Sequence, residues 1–253
     1  MSEVAGYVEF EFDLPEALLT HLIGVLDDLP PAPLNTNGVA AVPEAQGVYQ
    51  LFLDGQLVYI GKTDAEAGLR KRLERHASKI QHRQGLDPAR VSFRAVRIFV
   101  FTAIDLETQL IRHYAAKGTA WNNRGFGSND PGRRRDHTRI KPINFDALYP
   151  IDIDRPLQVD FASAETAADV VIRLKQALPY TFRFEATGGR RPDAALSDTP
   201  VRMAPGERTA REVLVELTTQ LPPGWQATAF RHQLLLYPEA VDTYPDAEIL
   251  ARS

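Results

Sequence analysis

Glu107 stands in a stripe otherwise made of apolar and aromatic side chains. Ile104, Glu107, Ile111 and Tyr114 are spaced 3, 4 and 3 residues apart, so they share one face of a helix. A carboxylate buried there without a partner costs several kcal/mol, on the order of 3–5. It therefore needs a cation, a hydrogen-bond partner or a cleft, and on spacing alone a buried Glu–Arg pair satisfies it as well as a metal ion does. Arg72 and His76 are four apart and lie one turn along a second helical face. Together they form either a solvated basic surface or a pair suited to phosphate, with Arg72 holding the anion and His76 relaying a proton or binding phosphate. Tyr49 and Tyr59 lie in two strand-like runs, where paired strands can bring them to one face. A phenol with an ordinary pKa near ~10 is a poor base at neutral pH. The remaining histidines, His21, His82, His113, His137 and His232, show no paired metal spacing. The chain has no Cys, which excludes a disulfide scaffold and any thiolate zinc or iron–sulfur site.

The elements that must carry these residues are legible as patterns. Residues 47–61, GVYQLFLDGQLVYIG, form a hairpin signal, two apolar runs around Asp54-Gly55, the dipeptide favoured in a type I′ turn. Residues 67–80 read as a helix with Leu69, Leu73, Ala77 and Ile80 on one stripe, 91–101 as a strand and 103–116 as a further helix. Upstream, 7–12 alternate as a strand, Leu14 to Leu29 is amphipathic, and 29–38 is a breaker-rich connector. Residues 122–142 are loop-like. Beyond about Pro150 a repeat emerges, in which ETAADVVIRLKQALP (165–179) aligns with RTAREVLVELTTQLP (208–222) at an offset of 43. Each copy is expected to be a β-α-β unit, with 187–199 as a flexible linker between them. The expected organisation is a strand-helix arm over 1–44, a central domain over 45–150 and a duplicated domain over 155–253, α+β throughout.

The 253 residues carry a net charge of −4, but the charge is unevenly distributed. Gly61 to Lys141 holds 18 Lys/Arg against 8 Asp/Glu, and the rest holds 11 against 25. A basic middle in an acidic chain suggests a face for polyanions, with the Arg-rich run 133–139 its densest part. No apolar run reaches the length of a membrane span and the acidic N-terminus lacks the features of a signal peptide, so a soluble cytoplasmic protein with no membrane partner is expected.

Gly47-Val48-Tyr49 opens the hairpin's first strand, and Tyr59-Ile60-Gly61 closes its second. This arrangement resembles the defining hairpin of the GIY-YIG nuclease superfamily. Further residues follow in that family's order: Lys62 after the second motif, Arg72 and His76 on the next helix, Glu107 on a later one, and Asn122 in Ala-Trp-Asn. The run from Gly125 to Arg133, together with Glu107-x-x-Leu-Ile-x-x-Tyr114, is similar to a branch of type II restriction endonucleases. The resemblance covers roughly residues 44–150.

It implies a nuclease core, a small antiparallel sheet flanked by helices, and a Mg²⁺-dependent endonuclease for double-stranded DNA, with Mn²⁺ able to substitute. Glu107 would be the metal ligand. Arg72 would stabilise the phosphate, and Tyr49 would deprotonate or orient the water, with His76 as its rival. Tyr59 would bond the phosphate or Tyr49, and Asn122 would hold the loop and a phosphate oxygen. Lys62, Arg124, Arg133, Arg134 and Arg135 would contact DNA. The alternatives are a structure-specific or repair nuclease of the same superfamily and a catalytically idle DNA-binding module. Since one such core has one active site and a duplex has two strands, a homodimer is expected, with the duplicated domain buttressing it.

Overall fold

The computed structural model describes residue 6 and residues 13–63, 66–99, 106–127, 136–188 and 191–253. The strand expected at 7–12, the end of the one expected at 91–101, the first residues of the helix expected at 103–116, and Arg133, Arg134 and Arg135 lie outside these residues. The chain divides into two units. The first comprises Met1–Glu74 and Ala89–Ala120, the second Arg75–Pro88 and Trp121–Ser253. The second unit thus takes in residues 75–88 and 121–150 together with the C-terminal part. Both units are mixed α+β. Among the described residues no helix is long and apolar enough to cross a membrane.

The first unit opens with α1 (Leu14–Asp28), whose N-cap Asp13 accepts from the Glu16 amide at 2.9 Å while Pro15 takes the first turn, where its missing N–H costs nothing. The breaker-rich connector is more ordered than expected. Within it β1 (Ala32–Pro33) runs along a sheet edge, where proline is tolerated, and α2 (Thr36–Val39) is capped by Asn35. β2 (Gly47–Leu53) and β3 (Gln56–Thr63) form the hairpin. Asp54 and Gly55 turn it with φ of 51° and 75°, the two positive values of a type I′ turn. Then come α3 (Leu69–Lys79), β4 (Val91–Arg97) and α4 (Leu106–Tyr114). The sheet order is β1-β4-β2-β3 with every pair antiparallel. Strand alternation splits its side chains between two faces. Val48, Phe52, Leu57 and Ile60 pack with Leu22 and Leu26 of α1 and Leu106, Leu110 and Tyr114 of α4. Tyr49, Tyr59 and Gly61 take the other face.

In the second unit, Trp121, Phe126, Phe145 and Tyr149 form an aromatic cluster around α5 (Phe145–Leu148), with ring centroids 4.7–6.1 Å apart. The rest runs β5 (Pro156–Leu157), α6 (Ala167–Ala177), β6 (Thr181–Phe184), β7 (Ala186–Thr187), β8 (Arg191–Pro192), α7 (Ala194–Asp198), β9 (Arg208–Thr209), α8 (Ala210–Thr218), β10 (Gln226–Ala229), β11 (Gln233–Tyr237) and β12 (Glu248–Arg252). Its main sheet has the order β12-β10-β11-β6, parallel between β11 and β6 and antiparallel elsewhere. The two aligned segments start alike. Thr166 and Thr209 each cap their helix in a capping box, closed by Asp169 and Glu212. Val170, Val171 and Leu174 of α6 and Val213, Leu214 and Leu217 of α8, each 43 residues apart, are all fully buried in one core with Trp225. The expected flexible linker 187–199 instead holds part of the β7–β8 pair and all of α7, because Asp193 caps α7 and Leu196 is buried beneath it.

Candidate active site

The hairpin motif has a steric origin. Gly61 lies directly across from Tyr49 in the β2–β3 register. A methyl group on Gly61 would overlap the Tyr49 hydroxyl and ring, so only glycine lets that ring cross the neighbouring strand. A methyl on Gly47 would strike the Val96 carbonyl and the Leu69 side chain. The Tyr49 and Tyr59 rings consequently lie side by side, 6.0 Å between centroids and tilted by 35°. From the second turn of α3, Arg72 donates its Nε–H to the Tyr49 hydroxyl at 3.3 Å.

Burial pushes the Tyr49 phenol far above its ordinary value, Tyr59 adds to this, and the Arg72 hydrogen bond opposes it without prevailing. Tyr59 is also raised, by burial first. Arg72 opposes that shift and the Glu107 carboxylate reinforces it. Desolvation thus outweighs the Arg72 guanidinium at both phenols. Arg72 itself loses solvation, but its contacts with Tyr49 and Tyr59 hold it more firmly protonated than usual.

Glu107 sits in the first turn of α4, where the helix dipole favours a carboxylate. It is half-buried at the edge of the apolar stripe, whose buried members are Leu106, Leu110 and Tyr114. The expectation of a carboxylate in the middle of that stripe is corrected accordingly. Its influence on Tyr59 puts it within electrostatic reach of the tyrosine pair. Lys62 is exposed on β3 and, by alternation, on the face opposite Gly61. Tyr49, Tyr59 and Arg72 are thus brought together, with Glu107 nearby.

His76 and Asn122 belong to the second unit. His76 is 1% exposed and stacks face to face on Phe126, centroids 4.7 Å apart. Asn122 is half-buried in the turn after Trp121. The adjoining Asn123 takes the left-handed φ of 56° that the turn requires, a conformation asparagine tolerates. Arg124 is half-buried, and its carbonyl accepts from the Phe145 amide at 2.7 Å.

Sequence reasoning missed Lys79, which holds this turn in place, and the Arg83–Asp146 pair beside it. Lys79 Nζ donates to the carbonyls of Gly125 and Phe126 at 2.8 and 2.7 Å. Arg83 and Asp146 form a buried ion pair at 2.9 Å, and Arg83 also donates to the Tyr149 carbonyl. One signal was present, because Arg72, His76, Lys79 and Arg83 follow a helical 4, 3, 4 spacing.

Among the described residues no three His, Cys, Asp or Glu side chains cluster as a metal site. The donor set at the tyrosine pair fits a hard divalent ion held by a single carboxylate, Glu107, with water and phosphate as its other ligands. No protein-family model matches the chain, and no curated protein matches it.

Proposed function

We propose that the chain is a Mg²⁺-dependent DNA endonuclease of the GIY-YIG type, nearest the type II restriction branch, cutting double-stranded DNA as a cytoplasmic homodimer. The observation that carries this proposal is the Arg72–Tyr49 hydrogen bond between α3 and the motif hairpin. It places a firmly protonated guanidinium and a hydroxyl on one anchor point, beside a second tyrosine and within reach of a carboxylate.

The scissile phosphate binds Arg72, which neutralises the charge that grows on its oxygens. Tyr49 accepts from Arg72 and so fixes where the guanidinium meets the phosphate. The raised pKa of Tyr49 makes it a donor at neutral pH rather than a base. Tyr59 donates to a phosphate oxygen. Glu107 would hold the Mg²⁺, which when bound would supply Lewis-acid stabilisation of the phosphoryl oxygens. His76, packed on Phe126, positions the turn that carries Asn122. Lys62, Arg124 and the Arg133–Arg135 run hold the DNA backbone.

The test is cleavage of a random-sequence duplex library, with branched DNA in parallel, in Mg²⁺ and in Mn²⁺. Discrete products from the duplex library, lost in Arg72→Ala, are expected. Absence of nicking on any DNA in either metal overturns the proposal. Light scattering of the full chain with and without a cleaved duplex tests the dimer.

A further inference from the structure

A second polar cleft lies in the first unit, on the sheet face that Tyr49 does not use. It has a volume of about 570 Å³ and is lined by Asp27, Gln50, Phe52, Arg94 and Tyr114, with the backbone of the hairpin turn at one side. Its rim is open to solvent at Asp27, Gly55, Gln56 and Ala116, and its floor is Gln50, only 1% exposed. The side-chain nitrogen and oxygen of Gln50 both lack a hydrogen-bond partner, as does the Arg94 Nε. Gln50 lies near enough to affect the Tyr114 phenol, but not in hydrogen-bonding geometry. Gln50 and Arg94 are directly paired across β2 and β4, so their polar ends share this face. Buried polar atoms are rarely left unpaired, because each forfeits its bonds to water.

The surrounding groups define what would satisfy them. The Arg94 guanidinium is fixed by the Leu26 carbonyl at 2.8 Å and lies over the Phe52 ring, 5.0 Å from its centroid. That arrangement offers a flat cationic surface for stacking. The Gln50 amide offers a donor and an acceptor side by side. At the rim Asp27 accepts the Tyr114 hydroxyl at 2.8 Å and has lone pairs left for an amino group. Asp27 disfavours an anion and Arg94 disfavours a cation, so the occupant is neutral.

We infer that this cleft binds a nucleobase: a neutral, flat heterocycle that stacks on Arg94, bonds Gln50 through an amide-like edge and gives an amino hydrogen to Asp27. The base can come from a free nucleoside or from an unpaired base in a DNA strand. The site lies on the opposite face of β2 from the proposed nuclease centre and does not depend on that activity. Its failure and that of the nuclease proposal are read in separate assays.

The experiment is calorimetric titration of the full-length protein with adenosine, guanosine, cytidine and uridine, and in a second arm with a hairpin oligonucleotide carrying one unpaired base. Saturable binding is expected, weakened at least about tenfold in Gln50→Leu, which removes the amide but keeps the volume. Binding in the first arm identifies a free nucleoside, and binding in the second arm alone an unpaired base. If Gln50→Leu fails to fold, Asp27→Asn at the exposed rim takes its place and must weaken binding. The Gln50 side-chain NH₂ resonance should also shift on titration. No saturable binding in either arm, or binding unchanged in the variant, overturns the inference.

Discussion

Tyr49 is fully buried yet keeps its hydroxyl on a guanidinium, and this combination fixes what it can do. Tyr49→Phe removes the acceptor that positions Arg72. Cleavage should fall by roughly 10²–10³-fold, as when one preorganised donor is lost, with duplex affinity nearly unchanged in a gel-shift titration. Glu107→Gln should retain DNA binding, since a neutral amide does not repel phosphate, and lose cleavage by orders of magnitude. Wild-type cleavage in that variant would remove Glu107 as metal ligand. Burial also links Tyr49 and Tyr59 to alkaline stability. Both phenols are raised in the folded state, so between the unfolded value near ~10 and the higher folded values the unfolded chain has lost protons that the native chain retains. The associated stability is fully present below pH ~10 and is lost as pH rises above it. Denaturant midpoints should therefore be flat on this account up to about pH 10 and decline beyond, less steeply in Tyr49→Phe.

At the scale of elements, α5 is tied to the end of α3 by an ion pair between distant residues. Arg83 and Asp146 are 4% and 2% exposed, so Asp146→Ala strands a buried guanidinium. The cost should be about 3–5 kcal/mol, read as a lowered denaturant midpoint. Spacing groups Arg83 with Lys79, but nothing local pairs it with Asp146, because the two are 63 residues apart. The hairpin was legible for the opposite reason: its register and turn are decided by alternation and by Asp54-Gly55, all within a few residues. The two capped helices were equally legible, since the Thr-Ala starts and matched apolar positions are local signals of a cap and a buried face. Glu107 shows the limit of such reading. Spacing groups it with Ile111 and Tyr114, but a stripe centred on Leu106, Leu110 and Tyr114 fits the sheet better and rotates the carboxylate to the edge. The unpaired Gln50 amide was also invisible, because a glutamine in a strand gives no hint of whether its partners are present.

For the whole molecule, the uneven charge should appear as a salt effect. Arg133→Ala, Arg134→Ala and Arg135→Ala combined should weaken duplex binding and flatten the dependence of log affinity on log salt by a slope of ~0.9 per lost phosphate contact. An unchanged slope would mean that the run faces bulk solvent. The placement of the tryptophans has a spectroscopic consequence. The chain has two, and Trp121 and Trp225 are both buried in the second unit. Indole emission therefore watches that unit alone, while amide circular dichroism samples both. Without any added label, the gap between the melting midpoints seen by the two signals measures how far the two units unfold as one.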